Sequence, residues 1–170
     1  SKKETFKGYP DYEGYEFLRK AISDYYGSFN VNIDPSEIMI NDGAKSDCGN
    51  FCDIFDADNT VLITDPVYPV YVDSNIMAGR KIIFADANEE NGFCAMPDKN
   101  VHADIIYLCS PNNPTGSVYS REQLKEWVDY AISNEAVILF DSAYEAYVTE
   151  DYPRSIFEIK KKKKCAVEFC

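Results

Sequence analysis

The chain has 170 residues, 45% of them apolar, which suits a single domain with a sizeable core. A formal net charge of −12 leaves no basic stripe to meet a phosphate backbone, and this argues against nucleic-acid binding. No apolar run approaches the ~20 residues of a membrane span and no signal-like segment opens the chain, so the composition reads as soluble and cytoplasmic.

Residues 1–30 are rich in Tyr and Gly and carry one predicted helix, with Leu18, Ala21, Ile22 and Tyr25 on one stripe, and no strand. They are expected to form an N-terminal segment that lies against a sheet domain spanning 31–170 or reaches toward a partner. "EIMI" (37–40) is the first predicted strand. "NDGAKSD" follows, where Asn41 or Asp42 is expected to cap a helix and Gly43 to allow close backbone approach. Lys45 then falls in a first helical turn, where a cation opposes the helix dipole. A bound phosphate would reverse that sign; a lysine extending into water is the alternative. Cys48, Phe51, Cys52 and Phe55 share a helical face and read as core. No second Cys or His pair completes a metal site, and no metal is expected.

"TVLIT" (60–64) is the next strand, and "DPVYPVY" fixes its exit with two prolines. Tyr68, between them, either offers its ring to a flat ligand or caps the core. "KIIFA" (81–85) and "DIIYLC" (104–109) are further strands, and His102, the only histidine, is expected at the surface. "SPNNPTG" (110–116) leaves its strand through restricted backbone, so Asn113 is held by the proline that follows it. The segment is either a ligand-orienting elbow at the carboxyl end of a sheet or a plain strand-to-helix turn. A capping box of Ser120 and Gln123 opens a helix with Leu124, Trp127, Val128, Ala131 and Ile132 on one stripe. "AVILF" (136–140) delivers Asp141 to a low-dielectric edge, where it needs a partner such as a protonated ring nitrogen, or caps a helix. Tyr144 is three residues on. The lysine run 160–164 reads as a solvated charge cluster, and "CAVEF" (165–169) as a last strand.

Strands alternating with helices give an α/β fold: a three-layer, mostly parallel sheet flanked by helices. The candidate positions together describe one ligand. It has an anionic group at a helix start, a flat ring under Tyr68, a ring nitrogen at Asp141 and a ring substituent at Asn113. Pyridoxal 5′-phosphate has these features.

"SPNNPTG", "ILFDSAYEAY", "DGAKSDCGN" and "TDPVYPVYVDSNIMAGR" resemble the class I/II (fold-type I) aminotransferases, and within them the LL-diaminopimelate type. The resemblance covers nearly the whole chain and implies a partial pyridoxal-phosphate-binding large domain over 31–170. It implies transfer of an amino group between an amino acid and a 2-oxo acid, in lysine biosynthesis, by a homodimer. It places Ala44 and Lys45 around the cofactor phosphate, Tyr68 on the ring face, Asn113 and Tyr144 on the ring hydroxyl, and Asp141 on the pyridine nitrogen. Substrate contacts are implied for Lys45, Tyr68 and Asn113. The family's serine-lysine motif, whose lysine forms the Schiff base, would follow Cys170. No catalytic residue is therefore assigned within the chain, which is expected to be inactive alone. The resemblance also implies cis peptides at Asp65–Pro66 and Asn113–Pro114. The alternative function is a catalytically silent or phospho-ligand-binding α/β module that acts with a partner chain. A nucleotide-binding domain is disfavoured because neither G-x-G-x-x-G nor G-x-x-x-x-G-K-[ST] occurs.

Overall fold

The structure, a computed structural model, describes residues 8–9, 11–160 and 165–170; positions 161–164 of the lysine run lie outside the described residues. The chain divides into two compact units, residues 1–42 and 43–170.

In the first unit, α1 spans Glu16–Gly27. Its inward face is turned from the expected stripe: Tyr26 is buried, Leu18 and Ile22 are half-buried, and Tyr25 is exposed. Tyr26 instead packs its ring on Phe29, 5.2 Å away. "EIMI" is not a strand. Asp34 accepts from the Ser36 N–H at 2.9 Å, and Glu37 reaches back to the Asp34 N–H at 2.9 Å, closing a capping box around a short 3-10 turn at Pro35–Glu37. That local chemistry claims Glu37, and the residues after it find no ladder partner among the described strands. The Ile40 N–H donates to the Glu13 carbonyl at 2.9 Å. Beside it, Gly14 has φ +94°, and a Cβ there would lie 2.5 Å from Ile40 Cβ, so this approach requires glycine.

The second unit holds a sheet of five parallel strands: β1 (Thr60–Asp65), β2 (Lys81–Asp86), β3 (Ile105–Cys109), β4 (Val137–Asp141) and β5 (Ala166–Phe169). Their order is β2-β1-β3-β4-β5. Register runs Leu62 to Ile83 and Ile106, Ile106 to Ile138, and Ile138 to Ala166. The central strands are buried on both faces, which is why they read as uninterrupted apolar runs rather than alternating ones. Side chains still alternate between layers. Leu62, Ile106, Leu108, Ile138 and Phe140 face one layer, where they meet α4 (Arg121–Asn134) through Leu124, Trp127, Val128 and Ala131. Val61, Ile63, Ile105, Tyr107 and Leu139 face the other, against Cys48 of α2 (Ala44–Asn50) and Tyr71 of α3 (Pro69–Met77).

The expected capping box forms at α4: Ser120 Oγ accepts from the Gln123 N–H at 3.2 Å, and Gln123 Oε1 accepts from the Ser120 N–H at 2.8 Å. Ile132 falls outside the buried stripe. The cysteine face of 48–55 is core, with the helix tightening into a 3-10 turn at Phe51. His102 is exposed, between Asn134 Oδ1 at 3.0 Å and Asp104 Oδ1 at 3.2 Å. The cap at α2 is neither Asn41 nor Asp42. Gly43 takes the position with φ +132° and offers no side-chain oxygen, leaving backbone conformation alone to start the helix. Cis peptides occur at Asp65–Pro66 and Asn113–Pro114, as expected, and also at Ser110–Pro111.

Candidate functional site

In a parallel sheet every strand exits at the same end, so the segments after β1, β3 and β4 carry their side chains to one sheet edge. Pro66 and Pro69 shape the exit from β1. Tyr68 sits at the N-cap of α3 with its ring half-buried and edge-on to Tyr71, centroids 5.8 Å apart. Tyr71, one helical turn on, is fully buried and stacks on Tyr107 at 4.9 Å and 20°.

Asp141 ends β4 and is 7% exposed. Its Oδ2 accepts the Tyr71 hydroxyl and its Oδ1 accepts the Ala143 N–H at 3.0 Å. Burial pushes the Tyr71 hydroxyl far above its usual value, with the nearby Cys109 and Asp141 adding to this, so Tyr71 is a permanent donor. The same burial raises the Cys109 thiol to about 11 and the Cys48 thiol to about 12; the Asp141 charge adds to both. Each Asp141 oxygen has a second lone pair, so the carboxylate is held in place while still able to accept one further N–H.

Asn113 follows in the turn after β3, half-buried. Its neighbour Asn112 is the more deeply placed: the Nδ2 group donates to the Pro66 carbonyl at 3.0 Å and to Thr115 Oγ1 at 2.9 Å. Ala44 packs against the same apolar layer as Tyr68 and Tyr71, while Lys45 is exposed in the first turn of α2. Tyr144 is exposed, and its described ring contact is with Tyr147 at 6.4 Å. The structure thus links Tyr68, Tyr71 and Asp141 in a continuous chain and ties the Asn113 turn to the Tyr68 loop, while Lys45 and Tyr144 are exposed.

Sequence reasoning missed Tyr71 and Asn112. The signal for Tyr71 was its position three residues after Tyr68, on the same helical face. Asn112 stands beside the more restricted Asn113, and nothing in its local sequence sets it apart.

No group of side chains suited to a metal ion, and no helix long and apolar enough to cross a membrane, occurs among the described residues. The five-stranded parallel sheet brings a tyrosine ring, an asparagine turn and a tethered aspartate to its carboxyl edge. Residues 1–168 match aminotransferase class I and II, and the chain belongs to this family of pyridoxal-phosphate-dependent enzymes. It is 49% identical over 181 residues to an LL-diaminopimelate aminotransferase of Bacteroides fragilis, covering 98% of this chain and 44% of that protein. It is 51% identical over 180 residues to one of Methanosphaera stadtmanae, covering 98% and 43%. The solved L,L-diaminopimelate aminotransferase of Chlamydomonas reinhardtii superposes with a TM-score of 0.87 at 34% identity, covering 97% of this chain and 44% of that one. The chain therefore spans less than half the length of the relatives it matches.

Proposed function

We propose that the chain forms the ring-binding part of an aminotransferase that moves an amino group between LL-diaminopimelate and a 2-oxo acid through pyridoxal 5′-phosphate. The observation that carries this reading is Asp141: a carboxylate at the buried carboxyl edge of the sheet, oriented by two donors and with acceptor capacity left over. The remaining acceptor capacity fits a protonated pyridine nitrogen. When bound, the cofactor supplies an electron sink for charge that develops at the substrate's α-carbon. Asp141 keeps the proton on the ring nitrogen. Tyr68 covers a ring face and excludes water from it. Asn113 and Tyr144 hold the ring hydroxyl, and Ala44 and Lys45 face the phosphate. Lys45, Tyr68 and Asn113 also meet the substrate. Residues 31–170 are a partial large domain in this reading, and the complete protein is a homodimer. The names and lengths of the relatives support the activity for a protein of their full size.

Calorimetric titration with pyridoxamine 5′-phosphate tests the reading, because this amine cannot condense with exposed lysines. Saturable one-to-one binding is expected, weakened at least about tenfold in Asp141→Ala, the loss of one hydrogen bond to a charged group. No saturable binding to the unmodified chain overturns it.

A further inference from the structure

We propose that Asn112 is a positioning residue that sets the gap between Tyr68 and Asn113, and hence the width of the slot for a planar heteroaromatic phosphate. The inference rests on the ring-binding reading above. The turn after β3 closes on itself through main-chain bonds, Asn112 N–H to the Ser117 carbonyl at 2.8 Å and Gly116 N–H to the Asn112 carbonyl at 2.7 Å. The Asn112 side chain adds one bond inside the turn, to Thr115 Oγ1 at 2.9 Å, and one outward, to Pro66. Among the described residues, its bond to the Pro66 carbonyl is the one hydrogen bond joining this turn to the loop after β1.

The bond falls just ahead of both positions that define the slot. Pro66 lies two residues before Tyr68, and Asn112 one residue before Asn113. A single 3.0 Å contact thus fixes the spacing of the two backbones just ahead of the two ring-facing side chains. Its polarity is forced. Pro66 offers only a carbonyl there, so the amide must present nitrogen, and a flip would set two oxygens against each other. The consequence is visible on the other side of the amide, where Oδ1 is buried and has no hydrogen-bond partner. A buried acceptor left unpaired is unfavourable. A surface turn with no spacing to maintain could relieve it by turning the amide outward, whereas a strap that must hold Pro66 cannot.

Amide hydrogen exchange and ligand titration, run on the same variants, separate this role from a general loss of structure. Asn112→Asp keeps the size but places an oxygen against the Pro66 carbonyl. The segments 66–72 and 111–119 should both exchange at least about fivefold faster while β1, β3 and β4 keep their protection. Thr115→Val removes the other acceptor of the same amide and should leave 66–72 unchanged. Should Asn112→Asp fail to fold, Asn112→Ser, too short to reach Pro66, takes its place with the same expectation. Affinity for pyridoxamine 5′-phosphate should fall about tenfold in the strap variant, and by much less when Asn113→Ala is already present, because the strap acts through Asn113 and Tyr68. Unchanged exchange at 66–72, or full additivity with Asn113→Ala, overturns the proposal. If the unmodified chain binds no pyridoxamine 5′-phosphate, the ring-binding reading fails and the slot with it, while the exchange result still decides whether Asn112 joins the two loops.

Discussion

Replacing Tyr71 by Phe removes one oxygen and leaves everything else in place, which makes it the sharpest probe of the buried carboxylate. The ring is fully buried and stacked on Tyr107 at 4.9 Å, so the apolar packing survives the change and no cavity larger than a hydroxyl is created. What is lost is the donor to Asp141 Oδ2, on a residue that is 7% exposed and whose carboxylate has, among the described residues, the Ala143 N–H as its one other hydrogen-bond partner. A hydrogen bond to a charged group contributes about 1.5–3 kcal/mol, and burial prevents water from replacing it. For a chain of this length, the change should lower the melting temperature by about 3–12 °C. Urea denaturation at pH 7, followed by circular dichroism, reads the loss directly. The double variant Tyr71→Phe with Asp141→Asn should cost less than the sum of the two single changes, since the neutral amide no longer needs that donor. A Tyr71→Phe unfolding free energy within about 0.5 kcal/mol of the unmodified chain would refute the claim that Tyr71 anchors Asp141.

Two further outcomes follow from the same layers. The Cys109 and Cys48 thiols are raised to about 11 and about 12, so the folded state holds their protons more tightly than the unfolded state does. Their contribution is complete below pH 9 and is lost as pH rises through 11–12, by up to about 1.4 kcal/mol per pH unit per thiol; denaturation midpoints between pH 8 and 11 should fall, and fall less steeply in Cys109→Ala. Ser120→Ala removes the acceptor for the Gln123 N–H and should cost about 1 kcal/mol, while Ser120→Asn should restore most of it.

The sheet was legible because burial on both faces turns each central strand into a short apolar run, and five of the six predicted strands form. "EIMI" failed because composition does not say where a strand's neighbour comes from, and Asp34 to Glu37 had a local use for the same backbone. At α2 the sequence offers Asn41 and Asp42 as capping side chains, whereas Gly43, with its positive φ, takes the position. The positions along the sheet edge could be read singly, from prolines and strand ends. Their connections could not: Tyr71 and Asp141 are 70 residues apart, and Asn112 and Pro66 are 46 apart, so only the folded sheet brings them together.

All five strands run the same way, and this also gives the molecule a silent end. At their starts, Asp104 gathers three strands: its N–H donates to the Thr60 carbonyl at 2.9 Å, its carbonyl accepts from the Val137 N–H at 2.9 Å, and its Oδ2 accepts from the Thr60 N–H at 2.6 Å. The turns leading there, at 57–58 and 98–100, are exposed, and hold none of Tyr68, Asn113 and Asp141. A fluorophore, an affinity tag or an inserted peptide placed in either turn has the depth of a whole sheet between itself and Asp141. Such attachments offer a way to watch ligand arrive at one edge from a reporter fixed at the other.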